Sequence, residues 1–203
     1  MSFVSSSSAV WTHLLSFMLR RTESAANDSP RDPRPRRFDT TPGLRAELDH
    51  LAPQYRLAVH AAADTYWRHK VRYALIGGVA AGAYGQPRAT RDVDFLVGDE
   101  AFDTVGAVYW DAVDRYAVEY RELYERALNE AVMSDEPHVR IARPEMVAVT
   151  KLVGARSHDI AAVVEMMSAG TVDPEELEKI VRPHGKLRLA FARARREYEQ
   201  GNE

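Results

Sequence analysis

The stretch Ile76 to Val97, IGGVAAGAYGQPRATRDVDFLV, holds the residue types from which a phosphate- and metal-handling site can be built. Asp92 and Asp94 stand two apart in an alternating segment, RDVDFLV, whose intervening members Val93 and Phe95 are apolar. On a strand, that spacing turns both carboxylates to one face, ~7 Å apart along the backbone. Two like charges so placed raise each other's pKa unless a cation lies between them. A hard divalent ion meets that need, and Mg2+ is bound through one or two carboxylates together with substrate phosphates. Upstream, Gly77-Gly78 closes a short apolar run and opens a segment of small residues. With no side chains there, backbone N–H groups can approach a phosphate, and a helix N-terminus favours its charge. Arg88 and Arg91 lie between the two features as further candidates for nucleotide contact. A Gly-Gly pair alone is an ordinary tight turn, and a DxD alone an ordinary solvated edge. In this order they describe a phosphoryl or nucleotidyl transfer site.

The elements that must hold these residues are readable from periodicity and punctuation. Leu44 to Lys70 is expected to be helical and divided at Pro53, with Tyr55, Leu57, Ala58, Ala61, Ala62 and Tyr66 as an apolar stripe. Strands are expected at Arg72–Ile76, Arg91–Val97, Tyr116–Tyr120 and His138–Ala142, with a small helix over Val79–Tyr84 and another around Glu100–Asp111. From Arg143 onward the pattern turns helical. Pro144 suits a first helical position, Ser157 can cap a helix that Gly170 stops, and Asp173-Pro174 with Glu176 marks another start. A last helix runs from Lys186 to Gln200. Strands first and helices last give an α+β fold, a small mixed sheet followed by a helical half. The expected organisation is an N-terminal region over 1–42, an α/β core over 43–142 and a helical region over 143–203.

Composition narrows the function classes. The 203 residues are 45% hydrophobic and 28% charged, enough for a sizeable core and unlike a disordered or polytopic membrane chain. The formal net charge of -3 leaves no global footprint for nucleic acid, so such binding needs a local patch. There is no cysteine, which excludes disulfides, thiol catalysis and Cys-ligated zinc, and the seven histidines show no HExxH spacing. A reducing cytoplasm suits such a chain, although export does too. Ala9–Leu19 is the longest apolar run, too short to span a bilayer and with its arginines on the wrong side for a signal peptide. It reads as an amphipathic helix docked on the body or on a partner, a leader from an upstream start, or a membrane attachment, without stable insertion. Ser24–Gly43, rich in Pro, Asp, Ser and Arg, has linker composition.

Gly77-Gly78, the small-residue segment and RATRDVDFLV resemble the signature of the DNA polymerase β-like nucleotidyltransferase superfamily. Within it, the sequence is most similar to the AbiEii-type nucleotidyltransferase toxins of bacterial toxin–antitoxin systems. Ala142–Asp159, ARPEMVAVTKLVGARSHD, resembles the segment in which that branch carries a Lys, an Arg five residues later and then an Asp. The resemblance covers Val71 to Met167, about half the chain. It implies that Gly77 and Gly78 hold nucleotide phosphates and that Asp92 and Asp94 bind Mg2+. It implies that Lys151 meets the triphosphate, supported by Arg156, and that Asp159 orients Lys151 or serves as general base. A third metal carboxylate on a later strand would be Glu119 in AVEY. The toxin branch typically has a second Asp three residues beyond the first. Here that position is Ala162, with Glu165 or the substrate left to substitute.

The function implied is Mg2+-dependent transfer of NMP from an NTP to an RNA hydroxyl, with the tRNA 3′ end as acceptor. It would block translation, with a neighbouring antitoxin protein as partner. The six cations Arg182, Lys186, Arg188, Arg193, Arg195 and Arg196, on a stretch without acids, could track RNA phosphates or be a solvated helix face. Tyr109, Trp110, Tyr116, Tyr120 and Tyr124 could stack on a base or fill the core. Two alternatives stand beside this reading: adenylylation of a small molecule such as an antibiotic, and a fold that binds nucleotide or a partner without catalysis.

Overall fold

Proline, aspartate and glycine set the helix boundaries in the computed structural model, which describes residues 43–85, 87, 90, 92–98, 100–101 and 119–201. Two helices, α1 (Leu44–His50) and α2 (Pro53–Arg68), meet at the expected break, with Pro53 in the first turn of the second. Pro there forfeits an N–H that has no intrahelical acceptor anyway. The buried face of α2 is Ala58, Val59, Ala63 and Tyr66, so the stripe is turned from the one expected and Leu57 points into solvent.

The sheet has four strands in the order β2-β1-β4-β3. At its centre β1 (Tyr73–Ile76) is buried at every position, as its unbroken YALI sequence requires. It pairs antiparallel with β2 (Asp94–Val97), placing Ile76 opposite Asp94. On its other side it pairs parallel with β4 (Arg140–Ile141), which in turn pairs antiparallel with β3 (Val132–Met133). Helix α3 (Gly77–Tyr84) leaves β1 without a loop. Its Gly and Ala residues let it pack closely against α1 and against the C-terminal helices.

Helices dominate the remainder. After α4 (Arg121–Asn129) and the β3–β4 hairpin come α5 (Pro144–Gly154), α6 (Ser157–Ser168), α7 (Pro174–Val181) and α8 (Gly185–Gly201). At the start of α7 the Asp173 carboxylate accepts the Glu175 N–H at 2.8 Å, as expected of its sequence, and α6 ends before Gly170 at φ +71°. The fold is therefore α+β with a small mixed sheet and a helical C-terminal half. Among the described residues no helix is long and apolar enough to cross a membrane.

Several expectations are corrected. Strand β2 begins at Asp94, so Asp92 and Val93 precede the ladder. Glu119 is helical and Tyr120 lies in a turn, where a strand was expected for both. The sequence RELYERALN directly after them buries Leu123, Tyr124, Ala127 and Leu128 on one helical face, and that burial overrides the strand preference of YAVEY. The cap of α6 is Arg156 rather than Ser157. The N-terminal 42 residues, Arg88, Arg91, most of the Glu100–Asp111 segment, and Tyr116 to Val118 lie outside the described residues.

Candidate active site

The turn from β1 into α3 is where the chemistry-bearing residues meet. Gly77 has φ +72°, a conformation that costs an L side chain about 1–2 kcal/mol and glycine almost nothing. Sterics add to this requirement. A Cβ on Gly77 would overlap Asp94 Oδ2 and come within 2.8 Å of Asp94 Cγ, because the Ile76–Asp94 pairing lays that carboxylate on the Gly77 backbone. A Cβ on Gly78 would lie 2.9 Å from Thr90 Oγ1. The two glycines are thus the floor on which the DxD segment rests.

Thr90 links the parts. Its hydroxyl donates to Asp92 Oδ1 at 2.8 Å and lies 3.1 Å from the Asp92 carbonyl oxygen. This local hydroxyl contact competes with ladder pairing and explains why the strand starts at Asp94, three residues later than expected. Asp92 is exposed and Asp94 half-buried, while Val93 and Phe95 are buried beneath them. The expected alternation therefore holds in burial, although only Asp94 is in the strand. Thr90→Val should lower any transfer activity about tenfold, the scale of a hydrogen bond to a charged group, with Thr90→Ser restoring it. A melting curve beside the kinetics separates that effect from unfolding.

The second half of the site is the corner between α5 and α6. Ala155, at φ +51°, ends α5 with its N–H on the Lys151 carbonyl, and the chain re-enters a helix at once. Asp159, in the first turn of α6, is 1% exposed and reaches back to the Arg156 N–H at 3.4 Å. Its Oδ2 accepts from Arg156 Nε at 2.8 Å, and its Oδ1 lies 3.4 Å from Lys151 Nζ and 3.6 Å from His158 Nε2. Burial pushes the Asp159 carboxyl up, but the Arg156 hydrogen bond and the charges of Lys151, Arg156 and His158 outweigh it and hold the group below the usual carboxylate range. Lys151 is not a snorkelling surface lysine, since its side chain is 14% exposed and paired.

Arg156 connects the two halves. Its hydrogen bond to Asp159 raises the guanidinium pKa, burial opposes this, and the charges of Asp159, Asp92 and Asp94 all add to it. The packing of α3 beside α6 explains the convergence. The ends of both helices meet where Gly85 faces Met166 and Thr171 Oγ1 bonds the Tyr84 carbonyl, so their N-termini fall on the same side.

Two exposed or half-exposed carboxylates with hard oxygen donors suit a Mg2+ that completes its shell with water and phosphate. Among the described residues no three His, Asp or Glu side chains gather around one point. In particular, Glu119 is not brought to Asp92 and Asp94. Its carboxylate lies 3.0 Å from Lys186 Nζ on α8 and accepts from the Tyr120 hydroxyl at 3.1 Å. Ala162 is buried within α6, and Glu165 sits at the far end of that helix beside Gly85. Tyr120 and Tyr124 are core residues rather than stacking surfaces. Thr90 is the site residue that reading the sequence missed, although its position in ATRD, two before the first Asp, was a usable signal.

A glycine turn, a DxD packed on it whose second Asp opens the antiparallel neighbour, and Arg156 within electrostatic reach of both carboxylates are thus brought together in this corner. The model of a family described as nucleotidyltransferase of unknown function (DUF6036) matches residues 57–200, and the chain belongs to that family. No curated protein matches the chain.

Proposed function

We propose that the protein is a Mg2+-dependent nucleotidyltransferase that moves NMP from an NTP to an RNA hydroxyl. In this reading the acceptor is the tRNA 3′ end, and the protein is a cytoplasmic toxin that blocks translation until an antitoxin protein restrains it. The observation that carries the transfer reading is the Asp94 carboxylate lying on the Gly77 backbone, with Arg156 within electrostatic reach of both Asp92 and Asp94. The RNA and toxin parts rest on the resemblance of GG…RATRDVDFLV and of Lys151, Arg156 and Asp159 to the AbiEii-type branch.

Asp92 and Asp94 would hold the Mg2+, which when bound neutralises phosphate charge and stabilises attacking and leaving oxygens. Gly77 and Gly78, whose side-chain space Asp94 and Thr90 occupy, set the start of α3, where the helix N-terminus favours the triphosphate charge. The acceptor hydroxyl attacks the α-phosphorus in line, the bond to pyrophosphate breaks, and the hydroxyl proton passes to water. Lys151 and Arg156 offset the charge of the departing pyrophosphate. Asp159, ionised and engaged by Lys151, Arg156 and the His158 ring, suits the task of orienting Lys151 better than that of taking a proton.

A small-molecule acceptor is the second reading, and one observation favours it. Arg182, Lys186, Arg193 and Arg195 are ion-paired with Glu178, Glu119, Glu197 and Glu199, which leaves the C-terminal helix less free to track phosphates than its sequence implied. Induced expression of wild type beside Asp92→Ala/Asp94→Ala, with mass analysis of the tRNA pool, separates the readings. Growth arrest with nucleotides added to tRNA, lost in the double variant, is the expected result. Arrest that persists in the variant would replace catalysis by binding, and no arrest with unmodified tRNA would move the acceptor to a small molecule.

A further inference from the structure

The end of the sheet away from Gly77 carries an aromatic surface that the transfer site does not use. Trp67, in the last turn of α2, stacks on the His138 ring of the β3–β4 hairpin with centroids 5.0 Å apart and planes 11° from parallel. His138 is locked in place. Its backbone is left-handed at φ +59°, its carbonyl accepts from the Tyr73 hydroxyl, and its Nδ1 lies 2.8 Å from Asp64 Oδ1. Although one face of the indole is covered, Trp67 remains 47% exposed. A large aromatic ring held rigid and left half in water offers a flat surface on which another planar group can stack.

Its charged neighbours are the Asp64 carboxylate that holds His138 and a set of cations. Arg68 and Lys70 flank it in the exposed run Trp67–Lys70, and Arg140 on β4 is close enough to influence the Tyr73 hydroxyl that holds His138. Arg68 donates to the Asp64 carbonyl, Arg140 donates to the Ala131 carbonyl, and none of the three cations is ion-paired among the described residues. This differs from α8, whose cations are largely neutralised.

We propose that Trp67, backed by His138 and flanked by Arg68, Lys70 and Arg140, is a stacking platform for an unpaired base of a single-stranded RNA segment. An aromatic face takes any base, while cations beside it take the backbone phosphates. The proposal rests on the RNA-acceptor reading and adds a second contact to it. The platform lies beyond the N-terminal end of β1, ~13 Å of strand away from Gly77. A polymeric acceptor can reach both places, whereas a small-molecule acceptor cannot.

The test is fluorescence anisotropy of a fluorescein-labelled single-stranded 12-nucleotide RNA against the full chain, without NTP or Mg2+. Trp67→Ala should weaken binding at least about fivefold, the lower end of what stacking one base contributes, while Trp67→Phe keeps most of the affinity. Arg68→Gln/Lys70→Gln, two exposed positions, should flatten the dependence of log affinity on log salt by about 1.4. Melting curves check that each variant is folded, and the double substitution still reads the platform if Trp67→Ala loosens the hairpin. Folded Trp67→Ala with unchanged affinity, or a wild type that binds an acidic protein segment at this surface but no RNA, would overturn the proposal. If wild type labels RNA with nucleotide while Trp67→Ala keeps both affinity and KM, the platform alone fails. If wild type neither binds nor labels RNA but labels a small acceptor, the RNA reading has failed with it.

Discussion

Gly77→Ala should reduce nucleotidyl transfer at least about 100-fold and lower the melting temperature. Alanine at φ +72° is strained by about 1–2 kcal/mol, and its methyl group enters the space of the Asp94 carboxylate. The methyl would come within 2.9 Å of Asp94 Cβ as well, so rotation of the carboxylate end is not enough and the whole side chain must shift. A displacement of about 1 Å in a group that positions reacting atoms costs on the order of 100-fold. Pyrophosphate release and a thermal melt on the same preparation test both halves. A variant that melts lower yet transfers at the wild-type rate would show that Asp94 need not lie where it does.

Asp159→Ala should cost about 3 kcal/mol of stability, the low end for removing one partner of a buried ion pair, because Arg156 and His158 keep much of their solvent contact. Lys151 is then left enclosed with no carboxylate beside it, and α6 loses the group that satisfies its Arg156 N–H. For a chain of this size the expected fall in melting temperature is roughly 6–12 °C. The pH dependence identifies the cause. Since the folded-state pKa of Asp159 is depressed, its contribution is fully present above the unfolded value of ~3.9 and is lost as pH falls through the lower folded value. Wild type and variant should therefore converge in stability only under strongly acid conditions. A difference that stays constant down to pH 2 would point to packing and not charge. In kinetics, KM for NTP should rise as Lys151 loses its orientation.

Legibility followed the physics of each segment. The helical half was readable because its boundaries are chemical: Pro144 and Pro174 at first turns, Asp173 as a cap and Gly170 as a stop. The glycine turn and the DxD were readable because types and order constrain each other across a short span. What escaped depends on contacts distant in sequence. Strand β3 is two exposed residues that exist as a strand only because β4 folds back on them. Glu119 reads as an alternating strand residue until the amphipathic RELYERALN that follows claims the neighbouring chain for a helix. The pairing of Lys186 with Glu119 was invisible because 67 residues separate them, whereas those of Arg182, Arg193 and Arg195 with Glu178, Glu197 and Glu199 are local i, i+4 pairs. The pairing of Lys151 with Asp159 needs only a tight corner, and the resemblance of this segment had already implied it.

The parallel pairing of β1 with β4 has a temporal consequence during synthesis. Gly77 and Asp94 emerge from a ribosome early, but the strand that completes the centre of the sheet and the helices that carry Lys151, Arg156 and Asp159 come roughly 50 to 80 residues later. At the usual ~5–20 residues per second, this leaves β1 with one open edge for several seconds. An interrupted chain ending before Arg140 would display an open edge of its apolar central strand to other proteins while holding only the acidic half of the proposed site. Such fragments are expected to be adhesive, and the two halves of the proposed site come together only once the later helices are made.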